Sequence, residues 1–360
     1  MDLQGQNGLL QTYREGFRTR GIVGILMSFG LTGFYLSLYF REDFTPLSKA
    51  LGLQNKWFLY GLLYSVFMLL GGIAYLRRHG NSRYNQLRIA VNVSVQVLLG
   101  FSLPFVMQLF GQKDYYFSYL WPLKIDALYP DNISQYPLYI LLYSVVASLV
   151  AVPVLGVLYG KRWYCSWVCG CGGLANTFGD PWRHLTSKST RSWRFEQVTV
   201  HGTMLLALAT TGIVGADFLV GAAHPAFHAF AGELRGAYGF VVGAMLAGVA
   251  GVGLYPLLGP RVWCRNFCPM AAMLGILQKV GRYRIRVKPD MCISCGNCST
   301  YCEMGIDVRS YAQNNESFTR AACVGCGMCA HMCPRGVLKL ENEWPRQSEK
   351  QKQRLPVINF

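Results

Sequence analysis

Eight of the thirteen cysteines fall in two runs, "MCISCGNCSTYCEMGIDV" (291–308) and "ACVGCGMCAHMCPRGVLKL" (322–340). Both have the spacing C-x2-C-x2-C-x3-C. Cys292, Cys295, Cys298 and Cys302 map onto Cys323, Cys326, Cys329 and Cys333 at a constant offset of 31 residues. Three thiolates at this spacing wrap one cubane iron–sulfur cluster, and the fourth, on the helix that follows, reaches the neighbouring cluster. One [4Fe-4S] site is therefore expected from Cys292, Cys295, Cys298 and Cys333, and a second from Cys323, Cys326, Cys329 and Cys302. C-x2-C pairs also bind zinc, but two matching runs of four favour clusters. The second run closes on the usual proline, Pro334, where the first has Glu303.

The other five cysteines sit in "KRWYCSWVCGCGGL" (161–174) and "RVWCRNFCPM" (261–270). Cys165 with Cys169, and Cys264 with Cys268, form C-x3-C pairs. Four residues apart on one helix puts two thiols on a common face, with Cβ atoms about 5–6 Å apart. Should the two helix ends adjoin, four thiolates could hold a third cluster or another thiophilic metal, with Cys171 as a spare ligand. Lys161, Arg162, Arg261 and Arg265 would favour the thiolate form. A reversible dithiol, a site reducing a metal ion such as copper, and inert cysteines packing a helix end are the alternatives.

The rest of the sequence must position these thiols. Of its 360 residues 52% are hydrophobic and only 14% charged, against about a quarter charged in soluble domains. Six apolar blocks, at 21–40, 57–76, 89–110, 137–160, 198–220 and 237–258, reach the roughly 20 residues that a membrane helix needs. The expected fold is an α-helical polytopic membrane protein with about six transmembrane helices and a C-terminal α+β bacterial-type two-cluster ferredoxin domain. "RYRIRVKP", "IDVRS" and "GVLKL" would be its strands. The expected units are an N-terminal segment 1–20, a membrane domain 21–280, a ferredoxin domain 281–340 and a basic tail 341–360. The first twenty residues lack the basic–apolar–small order of a cleaved signal, so the first apolar segment is expected to be retained.

The net charge of +16 does not point to nucleic acid, because its distribution follows the membrane. Of the 34 Lys and Arg, 28 lie in the N-terminus, the loops 77–88 and 161–197 and the tail from 259, against 6 in the alternate loops. Leaving the tail aside, the division is still 13 to 6. Positive charge collects inside, so both termini are expected to be cytoplasmic and the protein to lie in the inner (cytoplasmic) membrane. Every cysteine then falls on the reducing side, where structural disulfides are not expected.

Asp217, near the end of the fifth block, is followed by His224 and His228. An ionisable group at membrane depth is a candidate functional site, here a quinone or proton site; an interfacial carboxylate beside a wet loop is the plainer reading. Haem is not expected, since only His201 lies clearly within a block. His79, in "LRRHG", reads as a solvated loop residue, His184 as part of a surface turn, and His331 as solvent-facing or tuning a cluster. "QSEKQKQR" near the end could dock an acidic carrier or lie near anionic lipid.

Two C-x3-C motifs at helix ends, followed by a two-cluster cysteine repeat, resemble the membrane polyferredoxins. That family includes the quinol-oxidising subunit of periplasmic nitrate reductase systems, the C-terminal half of the nitrous oxide reductase regulator, and FixG/CcoG-type oxidase-assembly proteins. The resemblance covers the second half of the chain, while residues 1–130 carry no assignable motif. It implies electron transfer between the membrane or its quinone pool and a respiratory or redox partner. A redox assembly factor and a relay subunit anchored in a larger complex are the rival readings. This chain departs from the family in Gly170, where proline is usual, in the additional Cys171 and in Glu303, and its outward loops are too short for the regulator's flavin-binding domain to be expected in them.

Overall fold

The structure, a computed structural model, describes residues 21–53 and 55–344. The segment 1–20 and residues 345–360, most of the basic tail, lie outside the described residues. Six helices are long and apolar enough to cross a membrane. They run Ile22–Phe40, Lys56–His79, Arg83–Leu109, Leu138–Tyr159, Thr190–Val220 and Pro225–Gly253, here spans 1 to 6. Large apolar side chains such as Phe29, Leu70, Leu149 and Leu205 face outward, as suits helices whose surroundings are lipid.

Three spans begin six or more residues ahead of their apolar blocks. Span 5 starts eight residues ahead of the block because the Ser189 hydroxyl accepts the Ser192 N–H (3.2 Å) and caps a polar first turn. Span 6 starts at Pro225, whose missing N–H costs nothing at a helix start. Span 3 starts at Arg83, and its early polar residues are buried rather than solvated: Asn85, Arg88, Asn92 and Gln96 lie on one face and are fully enclosed. Spans 3, 4 and 6 widen into π-helical turns at Leu98–Ser102, Ala147–Ala151 and Gly239–Ala250.

The C-x3-C pairs do not share a helical face, contrary to expectation. Gly160 (φ 67°) and Gly259 (φ 91°) end the preceding helices in the left-handed region that favours glycine. Short helices, Arg162–Cys165 and Val262–Asn266, follow. The chain then turns, and Cys169 and Cys268, both extended, cap the helices Gly170–Asn176 and Pro269–Val280. In each motif the first cysteine sits in a short helix and the second at the start of the next.

Beyond these helices, β1 (Tyr283–Val287) pairs antiparallel with β2 (Leu338–Asn342), Ile285 opposite Leu340. "IDVRS" is not a strand: the chain is helical from Val308 to Gln313. The Ser299 hydroxyl accepts the Arg309 N–H (2.8 Å) and donates to Asp307 (2.7 Å), which fixes that helix start. The two cysteine runs repeat in backbone as well as in sequence. Gly296 (φ 79°) and Gly327 (φ 78°) each open a one-turn helix carrying the third cysteine. One apolar core continues from Val152, Ala207 and Leu274 in the helical part to Ile285, Val308 and Val337 beside the cysteine runs.

Candidate metal centres

The structure brings the eight C-terminal cysteines together as two cavities. One is lined by Cys292, Cys295, Cys298 and Cys333 with Ala312, Val337 and Leu338. The other is lined by Cys302, Cys323, Cys326 and Cys329 with Ile285, Val308 and Phe318. Three thiols of each set come from one run and the fourth from the other. The Ile306 N–H reaches Cys302 Sγ and the Val337 N–H reaches Cys333 Sγ, both at 3.4 Å, in matching positions of the repeat. Thiol-rich cavities with apolar walls and backbone N–H groups aimed at sulfur fit a cluster, whose potential such hydrogen bonds and burial adjust. Among the described residues no three or more His, Cys, Asp or Glu close tightly enough to hold a lone metal ion.

Burial pushes the Cys326 thiol up to about 11 and the Cys298 thiol up to about 12. Metal loading would therefore release protons from these sites. Arg183 Nη1 donates toward Cys326 Sγ at 3.8 Å. The Tyr283 hydroxyl lies 3.6 Å from Cys323 Sγ.

Cys165, Cys169, Cys264 and Cys268 form a third buried set, with Cys171 half-buried beside them. Cys169 is drawn down to about 7, first by a hydrogen bond from the Cys171 thiol and then by backbone N–H groups of Gly172 and Cys171. Cys165 is pushed up to about 12 by burial, against the pull of Lys161. Arg261 Nη1 donates toward Cys264 Sγ at 3.6 Å. Of the four basic residues expected here, Lys161 and Arg261 influence these thiols. Arg265 instead pairs with Glu196 (2.7 Å), and Arg162 stacks over Tyr283 (5.1 Å).

Span 3 holds the loop between the first pair of cysteines. Gln96 donates to the Val168 carbonyl, Asn92 reaches the Cys169 carbonyl (3.5 Å), and the Tyr64 hydroxyl of span 2 donates to that of Gly170 (2.9 Å). Gly172 has no room for a side chain: a Cβ there would run into the Cys165 carbonyl.

Asp217 and His228 meet (Nδ1–Oδ2 2.9 Å), while His224 is exposed and does not join them. They lie at the opposite end of span 5 from Glu196 and the cysteines. His228 stands on span 6 and not in the wet loop expected for it. His79 is not solvated: it packs between Tyr75 and His331 and lies 3.4 Å from Asp180.

Comparison with known proteins agrees with the cysteine geometry. A family model described as a 4Fe-4S dicluster domain matches residues 291–338. One described as a 4Fe-4S binding domain matches twice, at 141–188 and 241–288, around the two C-x3-C motifs. The chain is 26% identical over 170 residues to the "Putative electron transport protein YccM" of Escherichia coli (strain K12), covering 46% of this chain and 47% of that protein. It is 29% identical over 180 residues to the methylamine utilization ferredoxin-type protein MauN of Paracoccus denitrificans, covering 46% and 59%. The corresponding protein of Methylorubrum extorquens is 30% identical over 158 residues, covering 43% and 52%. The chain thus spans about half the length of these curated relatives. No solved structure matches it. The chain carries ferredoxin-type 4Fe-4S domains on a multi-pass helical membrane protein and is homologous to ferredoxin-type electron transport proteins, consistent with the membrane polyferredoxins.

Proposed function

We propose that this chain passes single electrons between the membrane, with its quinone pool, and a redox partner. The observation that carries the reading is the adjacency of three cysteine sets, each close enough to the next to share charged neighbours or act on its thiols. The C-x3-C set and the Cys302/Cys323/Cys326/Cys329 set share Lys161, whose side chain lies near both thiol groups and donates to the Ala321 carbonyl (3.1 Å). The Cys302/Cys323/Cys326/Cys329 set in turn borders the Cys292/Cys295/Cys298/Cys333 set through Cys329 and Cys298. Iron–sulfur clusters supply one-electron carriage when bound. The protein's own residues hold the thiols, exclude water from the inner two sets and present positive charge to sulfur.

On this reading Cys292, Cys295, Cys298 and Cys333 hold one [4Fe-4S] cluster and Cys323, Cys326, Cys329 and Cys302 the other. Cys165, Cys169, Cys264 and Cys268 hold a third, a role supported by the 4Fe-4S model matched around both motifs. Residues 21–280 form the membrane domain and 281–340 the ferredoxin domain. The excess of Lys and Arg supports a cytoplasmic position for the cysteine end, in the inner membrane. Partners are a respiratory or redox protein, as part of a complex or alone, and membrane lipid. Asp217 with His228, at the other end of the bundle, is the candidate quinone or proton site.

A second reading, a maturation factor that reduces or delivers a metal such as copper, is favoured by the fifth thiol, Cys171, on Cys169. Iron and acid-labile sulfide, with EPR, on anaerobically purified protein test both. About 12 iron atoms per chain, falling to about 8 when Cys165, Cys169, Cys264 and Cys268 are all changed to Ser, supports three clusters. About 8 in both samples leaves the C-x3-C set to thiol or metal-reducing chemistry. An iron-free protein overturns the proposal.

A further inference from the structure

Glu303 occupies the place in the first cysteine run that Pro334 occupies in the second. Pro334 is exposed; Glu303 is completely buried, where the cysteine runs meet the helical part. Its Oε1 accepts from Arg261 Nη2 at 2.8 Å, and its Oε2 lies 2.9 Å from Arg183 Nη1. Both arginines are almost wholly enclosed. The two guanidiniums also face sulfur, Arg183 on Cys326 and Arg261 on Cys264. A single carboxylate therefore stands between one cation at the C-x3-C set and another at the Cys302/Cys323/Cys326/Cys329 set. Arg183 is held from its other side by Asp180 (3.2 Å), which in turn takes Arg78 (3.6 Å) and His79 (3.4 Å).

Such an array is poor as mere structural glue. Buried ion pairs recover their desolvation cost only with good geometry, and apolar residues of similar size often stabilise as well. Its distinctive property is electrostatic. A fixed positive charge at a sulfur favours an added electron on that ligand set, and a carboxylate between two such charges weakens both effects. The interaction is strong at these separations because water is excluded.

We propose that Glu303 is a positioning residue that ties Arg183 and Arg261 into one charge bridge between the two inner cysteine sets, fixing their reduction potentials relative to each other. The proposal rests on the reading of those sets as iron–sulfur ligands. The test uses anaerobically purified full-length protein: wild type, E303Q, and the double variant E303M/R261M, which removes opposite charges together. Iron content is measured first, and then each cluster signal is followed by EPR during a redox titration.

Wild-type protein without iron would overturn the ligand reading, independently of the bridge. With iron present, E303Q is expected to raise the reduced-to-oxidised ratio of the cluster facing Arg183 about tenfold at fixed potential, which is 59 mV for one electron. The outer cluster, on Cys292, Cys295, Cys298 and Cys333, should titrate as in wild type. In E303M/R261M the cluster facing Arg183 should still become easier to reduce while the C-x3-C signal becomes harder to reduce, having lost its cation. Titrations within twofold of wild type at both inner sets would overturn the bridge. So would loss of iron from both variants, since the role would then be structural only.

Discussion

Gln278 and Lys161, 117 residues apart, are joined where the C-x3-C loop meets the second cysteine run. The Gln278 side-chain oxygen accepts the Lys161 backbone N–H at 2.7 Å. Its amide nitrogen donates to the carbonyls of Arg320 (2.8 Å) and Cys323 (3.0 Å). One fully buried glutamine thus satisfies three backbone groups of two segments that each carry cysteines of an inner set.

Replacing Gln278 by Leu should therefore loosen two sets and spare the third. A buried polar group left without its partner costs about 1–3 kcal/mol, which corresponds to roughly tenfold or more in a local opening equilibrium. Iron release to a chelator should accelerate by that factor for the inner clusters, while the cluster on Cys292, Cys295, Cys298 and Cys333 keeps its wild-type rate. Uniform acceleration would mean that Gln278 stabilises the whole fold and has no special hold on this junction.

The sequence makes the cysteine runs legible because their ligand geometry is local: a loop of fixed spacing closes on itself, and the offset of 31 repeats it. The spans are legible because burial in lipid demands long apolar blocks. What escaped depends on pairs far apart in the chain. Glu303 reads only as a missing proline until Arg183 and Arg261, 120 and 42 residues away, are seen to meet it. The turn inside each C-x3-C motif was hidden because the spacing of four suits a helix equally well; Gly160 and Gly259, just ahead of the motifs, signal only where the preceding helices end. A second signal lay in span 3. Asn85, Arg88, Asn92 and Gln96 recur at helical spacing, and polar groups on one face of a membrane helix ask for a buried partner. Here that face borders the loop carrying Cys169, and its two later members bond to it.

Asp180 gives the charged side of this junction a defined pH dependence. Burial alone would raise its pKa, but the hydrogen bond from His79 and the charges of Arg183 and Arg78 outweigh it and hold the carboxyl below its usual range. A carboxyl whose pKa is depressed by folding adds stability above its unfolded value, near 3.9, and loses it as pH falls through the folded value. Wild type should therefore exceed D180N in stability at neutral pH, by about 3 kcal/mol for a buried pair broken on one side. The gap should stay level down to about pH 4 and then close as the solution becomes more acidic. Thermal unfolding of both proteins in detergent across pH 3–7 checks this. A gap that persists at the acid end would assign the loss to packing and not to charge.

Sidedness is the remaining prediction, and the structure sharpens the charge argument behind it. Arg88, Lys161 and Arg183, counted among the 13 basic residues of the cysteine-side segments before the tail, are buried at the metal centres and their junction. Setting those three aside leaves 10, still above the 6 of the opposite loops. The residual bias keeps its direction, since exposed Lys and Arg close to the spans are the ones that resist translocation. A fluorescent protein joined after Phe360 should therefore fold and fluoresce inside the cell. Alkaline phosphatase joined after Gln135, in the loop between spans 3 and 4, should be exported and active. The reverse pattern would put all thirteen cysteines on the oxidising side, where free thiols are not expected to persist. The electron path proposed here would then have to run to an external partner.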